Sequence, residues 1–164
     1  MGVSSVEQDW TASMVMSEMT EKECRAALAR CSIGRIGCSL DNQPYVVPVY
    51  FAYEPDYFYV LSTLGQKIEW MRTNPKVCVQ VDEIKSQWEW VSVIASGTYE
   101  ELPEPRYSAE RAHARSLLQK QHRWWLNALA ERQTKSNDPL IEPLFFRIHV
   151  DSMTGLRASD SGEK

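Results

Sequence analysis

Apolar positions along this chain recur mostly at period two, in short runs separated by turn-forming residues, a pattern that predicts strands. Arg35 to Leu40 reads as a first strand, closed by Asp41-Asn42-Gln43-Pro44, which is turn chemistry. Tyr45 to Tyr53 follows, apolar on both faces: Tyr45, Val47, Val49, Phe51 and Tyr53 point one way, and Val46, Pro48, Tyr50 and Ala52 the other. A strand covered on both sides is central or sits in a barrel wall. Pro48 cannot donate to a ladder, so the strand must be interrupted or at an edge there. A barrel open at one seam, with a ligand or partner filling the gap, meets both demands.

After the turn Glu54-Pro55-Asp56, Tyr57 to Leu61 is a third strand and Lys67 to Thr73 a short helix, stopped by Asn74-Pro75. Lys76 to Val81 is a fourth strand, and Asp82 to Gln87 a polar loop. Trp88 to Leu102 is a long strand expected to bend at Gly97, and Leu144 to Val150 a last one. Two longer helices flank these. One opens at Thr20, where Glu23 gives capping-box spacing, and stops near Gly34. The other runs from Ser108 to about Ala130. The first nineteen residues read as a loosely docked arm and the polar tail from Ser152 as frayed. The expectation is a single α+β domain over residues 1–164, built on an antiparallel barrel with flanking helices and flexible termini at 1–19 and 152–164.

Composition narrows the function. A chain of 164 residues suits one core, and a net charge of −4 gives no basic stripe for nucleic acid. No apolar run reaches the roughly 18–20 residues of a membrane helix. Met1 to Met19 contains Glu7, Asp9 and Glu18 but no Lys or Arg, unlike a secretory signal, so a cytoplasmic protein is expected. Cys24, Cys31, Cys38 and Cys78 form no CxxC pair, and His113, His122 and His149 are scattered, so no metal site is expected. Six Trp exceed what packing alone needs. Trp88 and Trp90 share a strand face suited to an interface, whereas Trp124 and Trp125 are expected to pack the last helix on the barrel. The pairs Asp82-Glu83 and Glu100-Glu101 read as solvated turn residues.

The segment that carries chemistry is Ser62-Thr63-Leu64-Gly65-Gln66-Lys67, where a strand hands over to a helix. A helix N-terminus presents unpaired N–H groups and partial positive charge to a phosphate. Ser62 and Thr63 can donate hydrogen bonds, Gly65 permits close backbone approach, and Lys67 adds a full charge. Taken alone, the hexapeptide is better read as an ordinary loop with a capped helix and an exposed Lys, because hydroxyl-Gly-Lys loops are common. No Walker or GxGxxG pattern accompanies it. Arg35 at a strand start is divided between a ligand contact and a surface salt bridge.

The ordered segments Arg35-Ile36-Gly37, Pro44 to Phe51, Phe58-Tyr59, Gly65-Gln66-Lys67, Asn74-Pro75-Lys76-Val77-Cys78-Val79, Trp90 to Val93 and Gly97 together resemble the pyridoxamine 5'-phosphate oxidase-like FMN-binding split β-barrels, in the branch with nitroimidazole-reductase-like proteins. The resemblance covers about Thr20 to Leu102, with weaker support from Phe145 to Gly155. It implies a homodimer with FMN at the subunit interface. In its terms Lys67 is the phosphate-binding lysine, with Ser62, Thr63, Gly65 and Gln66 in the phosphate loop. Val47, Pro48, Val49 and Tyr50 lie along the flavin ring, and Trp90 and Ser92 belong to the strand that the second subunit presents. It further implies an FMN-dependent oxidoreductase acting on a small molecule, with NAD(P)H as electron donor. No catalytic side chain is singled out. The rivals are a flavin-binding module without turnover, a haem-binding relative using one of the three histidines, and a deazaflavin user. Gly65-Gln66-Lys67 stands where true pyridoxamine phosphate oxidases have a Ser-Arg-Lys-like run, which argues against vitamin B6 oxidation. Val60-Leu61 replaces the histidine of many nitroimidazole-reductase relatives.

Overall fold

Thr20 starts the first helix with both halves of a capping box. Its Oγ1 accepts the Glu23 N–H at 3.3 Å, and the Glu23 carboxylate accepts the Thr20 N–H at 2.8 Å. The structure is a computed structural model that describes residues 14–121 and 143–161. Its elements are β1 (Met14–Glu18), α1 (Glu21–Arg30), β2 (Ile33–Leu40), β3 (Gln43–Tyr50), β4 (Ala52–Glu54), β5 (Tyr57–Thr63), α2 (Gln66–Thr73), β6 (Lys76–Ile84), β7 (Trp90–Glu101), α3 (Ser108–Gln121) and β8 (Pro143–Asp160).

All pairings are antiparallel, in the order β3-β2-β6-β7-β8-β5-β4, with β1 added to the far half of β8. The sheet curls around a core that includes Ile36, Phe51, Phe58, Val60, Val79, Phe146 and Ile148, closed off by Leu28 of α1 and Ile68 and Met71 of α2. Burying each such side chain contributes about 1.5–3 kcal/mol. A second cluster, with Tyr59, Leu102, Ala114, Leu118 and Phe145, packs α3 against the outside of β4, β5 and β8. Both faces of that part of the sheet are therefore covered. The outer face of β2, β3, β6 and β7 is not: Val46 is 64% exposed and Ile94 46%.

The sheet is not closed. β3 and β4 stand at its two ends, yet only Phe51 separates them in sequence. The run read as one strand from Tyr45 to Tyr53 is thus two strands on opposite sides of a seam, parting where the Phe51 N–H turns to the Ser32 carbonyl at 3.0 Å. Pro48 lies in edge strand β3, as its missing donor requires. Gly97 marks an irregularity, a register shift of β7 against β8 between Ser96 and Gly97.

Several expectations are corrected. The residues read as an N-terminal arm include β1, whose Met14 to Glu18 pair with Asp160 to Leu156. The tail from Ser152 is ordered strand as far as Asp160, held between β7 and β1. Gly34 does not stop α1, which ends at Cys31. It lies buried in β2, where an added Cβ would come within 2.9 Å of the Gln80 carbonyl oxygen. β6 extends through Asp82 and Glu83 to Ile84, and Trp88 falls in the bend before β7 rather than on a strand face with Trp90. Neither acidic pair is merely solvated. Asp82 pairs with Arg35, Glu83 with Arg30, Glu100 with Arg147 and Glu101 with Arg72. Trp124, Trp125, His122 and the expected helical residues beyond Gln121 lie outside the described residues.

Candidate functional site

The seam brings two of the predicted segments face to face. β4 pairs with β5 so that Ala52 faces Tyr59. Continued past Ala52, that register sets Val49 opposite Ser62 and Pro48 opposite Thr63. β3 and β5 touch there, but no ladder joins them. On that continued register Val47, Pro48, Val49 and Tyr50 follow one lip of the unladdered seam, a narrow slot, and Ser62 and Thr63 the other. Val49 is buried, Val47 and Tyr50 are half-buried and Pro48 is exposed. A proline on this lip leaves one N–H fewer with which β3 could close the barrel.

The β5 lip leads directly into α2. Ser62 is 8% exposed and its hydroxyl donates to the Thr63 carbonyl at 3.2 Å. Gly65 caps α2 without a side-chain bond, and its carbonyl accepts from Ile68 N at 3.0 Å and Glu69 N at 3.1 Å. The N–H groups of Gln66 and Lys67 belong to the unpaired first turn. The backbone of Gly65 is extended (φ 177°), and an added Cβ would meet nothing within 4 Å. Within the chain, then, neither strain nor crowding demands glycine, and the space over the helix start is open.

Lys67 is half-buried beside Cys38 and pairs with no carboxylate among the described residues. Burial pulls its ammonium below the ordinary lysine range, with the Cys38 thiol in partial opposition. Burial raises the Cys38 thiol in turn. A cation held out of water at a helix N-terminus, with no counter-ion, is suited to receive an anion.

Two other predicted residues are not brought to the seam by this chain. Trp90 and Ser92 lie on β7, separated from β3 by β2 and β6. Ser92 Oγ accepts from Gln80 Nε2 at 3.2 Å, and the same amide donates to Asp82 at 3.0 Å. Arg35 reaches this network, 3.0 Å from Asp82, so a salt bridge occupies it rather than the seam. His113 is hydrogen-bonded to Glu54 at 2.7 Å and His149 to Asp151 at 3.3 Å, both exposed. Among the described residues no trio of His, Cys, Asp or Glu is placed to hold a metal ion, and no helix is long and apolar enough to cross a membrane. Sequence reasoning missed the open face of β2, β3, β6 and β7. Its signal was the row of outward apolar positions Ile33, Val46 and Ile94.

Residues 20–157 match the sequence profile of the pyridoxamine 5'-phosphate oxidase family. An uncharacterized protein of Rhizobium meliloti is 38% identical over 151 residues, covering 92% of this chain and 99% of its own. A crystal structure of a FAD-binding protein from Mesorhizobium loti superposes with a TM-score of 0.73 at 39% identity, covering 90% of this chain and all (100%) of that one. A provisionally named 5-nitroimidazole antibiotic resistance protein from Bacteroides thetaiotaomicron shares the fold at 22% identity and a TM-score of 0.61, covering 90% and 93% of the two chains. With the profile spanning the strands from β2 to β7, α2 and most of β8, the chain belongs to the pyridoxamine 5'-phosphate oxidase family of split β-barrels.

Proposed function

We propose that this chain is a cytoplasmic flavoprotein that binds FMN at the seam between β3 and β5 and works as an oxidoreductase on a small molecule. The carrying observation is Lys67, a half-buried cation with no carboxylate partner among the described residues, at the head of α2 beside the unladdered seam. The fit is good in kind. The α2 N–H groups, the Lys67 ammonium and the Thr63 hydroxyl supply donors for a phosphate. The apolar lip from Val47 to Tyr50 offers a surface for a flat ring, and the backbone of an edge strand offers hydrogen bonds to it.

A bound flavin supplies reversible hydride and electron chemistry, with a reduced nicotinamide as the expected donor. The protein's part is to anchor, orient and dry the site. Lys67 and the first turn of α2 fix one end. Val49, Phe51 and Phe58 keep water from the closed end of the slot.

A second copy completes the site in this reading. Ile33, Val46, Ile94 and Leu156 leave apolar surface open across the face where Trp90 and Ser92 stand. Packing two such faces together would carry the partner's β7 toward the seam. The homodimer thus accounts for two features at once: the exposed apolar face, and predicted residues that one chain holds apart.

The Mesorhizobium relative is named as FAD-binding, which favours FAD as the second reading. The purified protein should be yellow, and the mass of the chromophore released on denaturation separates FMN from FAD, deazaflavin and haem. Lys67→Ala with Thr63→Ala should fold, judged by circular dichroism, yet purify colourless. Full flavin occupancy in that variant would place the phosphate elsewhere.

A further inference from the structure

Helix α3 carries an unusual arrangement away from the seam. The Arg111 and Arg115 guanidiniums, one turn apart, lie over the same Phe145 ring, at 4.8 Å and 5.6 Å from its centroid. Like charges at this spacing repel. Neither has a hydrogen-bonded carboxylate among the described residues. For Arg111 the nearest is Glu104 at 3.7 Å, on a side chain 65% exposed, and Arg115 has no ion pair among the described residues. Arg111 is only 18% exposed. Its Nε has no hydrogen-bond partner, and its two terminal nitrogens reach the Leu102 and Pro143 carbonyls only at 3.5 Å. A guanidinium so enclosed is ordinarily saturated with short, charge-assisted bonds.

Arg111 lines a cleft of about 390 Å³, toward the lower end of the range for small-ligand sites. Leu64, Leu102 and Leu144 give the cleft apolar walls. Arg72, also on the wall, is already forked onto Glu101. The carboxylates of Glu101 and Glu104 share the lining, so its formal charges balance and a doubly charged phosphate would meet two like charges. A single negative charge on an apolar body suits the cleft best.

We propose that this cleft binds a small organic monocarboxylate, its carboxylate gripped by Arg111 and its apolar body against the leucines, while Arg115, outside the lining, adds only a longer-range positive charge. The cleft adjoins the Ser62–Lys67 loop through Leu64, but its grip on an anion rests on Arg111 and not on a bound flavin. Benzoate titrated calorimetrically into the purified protein, with whatever chromophore it carries, is the test. Saturable binding is expected, at least about tenfold weaker in Arg111→Gln and about threefold weaker in Arg115→Gln, whose side chain is exposed. Glu104→Gln should bind benzoate more tightly, because it removes the competing acid. Wild-type protein that shows no saturable benzoate binding, or unchanged affinity in either arginine variant, would overturn the proposal. Inorganic phosphate binding more tightly than benzoate would overturn the ligand class.

Discussion

The Arg72 guanidinium is forked onto the Glu101 carboxylate, Nε to Oε2 at 2.8 Å and Nη2 to Oε1 at 2.7 Å, and so ties the last turn of α2 to the end of β7. This clamp sets the tilt of the helix whose first turn carries Lys67. The fork holds the Glu101 carboxyl below its ordinary range against the opposing pull of burial. A carboxylate whose folded pKa is depressed stabilises the fold fully above its unfolded value of about 4.3, and the contribution fades as pH falls through the lower folded value. Glu101→Gln should therefore cost about 1 kcal/mol at neutral pH, a figure already reduced for solvent screening, and flatten the loss of stability below about pH 4. Urea midpoints across pH check both.

At the seam, Lys67 predicts an opposite sign. Its charged form is disfavoured by burial, so in protein stripped of cofactor the cost is present at neutral pH and relieved as pH rises toward the ordinary lysine value. Lys67→Met should raise the melting temperature of the stripped protein slightly, by an equivalent of about 0.5–1 kcal/mol. The same variant should weaken flavin binding at least about tenfold. A stripped variant less stable than its parent would mean that Lys67 has a counter-ion within the fold.

Gly97 sits against the backbone of β8, where an added Cβ would clash with the His149 carbonyl oxygen and approach Ile148 Cγ2 within 2.8 Å. Backbone cannot swing aside as a flexible side chain does. Gly97→Ala should destabilise by about 2–3 kcal/mol, read as a lower urea midpoint with an unchanged slope.

Ile94, 46% exposed at the centre of the open sheet face, reports on self-association. Ile94→Lys should convert a dimer to a monomer in sedimentation velocity and lower flavin occupancy with it. A variant that stays dimeric would move the interface to another face.

Local chemistry made much of this architecture readable in advance. The Thr20–Glu23 capping box, the Asp41-Asn42 turn with both residues at positive φ, the Asn74-Pro75 stop and the Gly97 irregularity each follow from a few neighbouring residues. Pro48 likewise marked an edge strand by its own chemistry, whereas the Ser62–Lys67 run taken alone read as an ordinary loop, and its place beside a ligand came from family likeness. β1 was not, since all five of its residues are exposed and no alternation marks it. Its strand state comes from Asp160 to Leu156, more than 130 residues away. The end of β8 was equally hidden, as only Gly155 and Ala158 are buried beyond Ser152. Trp90 and Ser92 were assigned to the site through family likeness alone, and the chain holds them on β7, with two strands between it and β3.

Because one residue, Phe51, joins the two ends of the sheet, the slot has a fixed vertex and a free mouth. Phe51 is fully buried and meets the Phe58 ring edge-on at 5.1 Å, so that vertex is rigid. Any widening must be an angular splaying of β3 from β5, greatest beside α2 and vanishing at the aromatic pair. A ligand entering such a wedge would be graded by thickness along its length: a thin planar body would slide inward, while a bulky one would halt at the wide end beside α2.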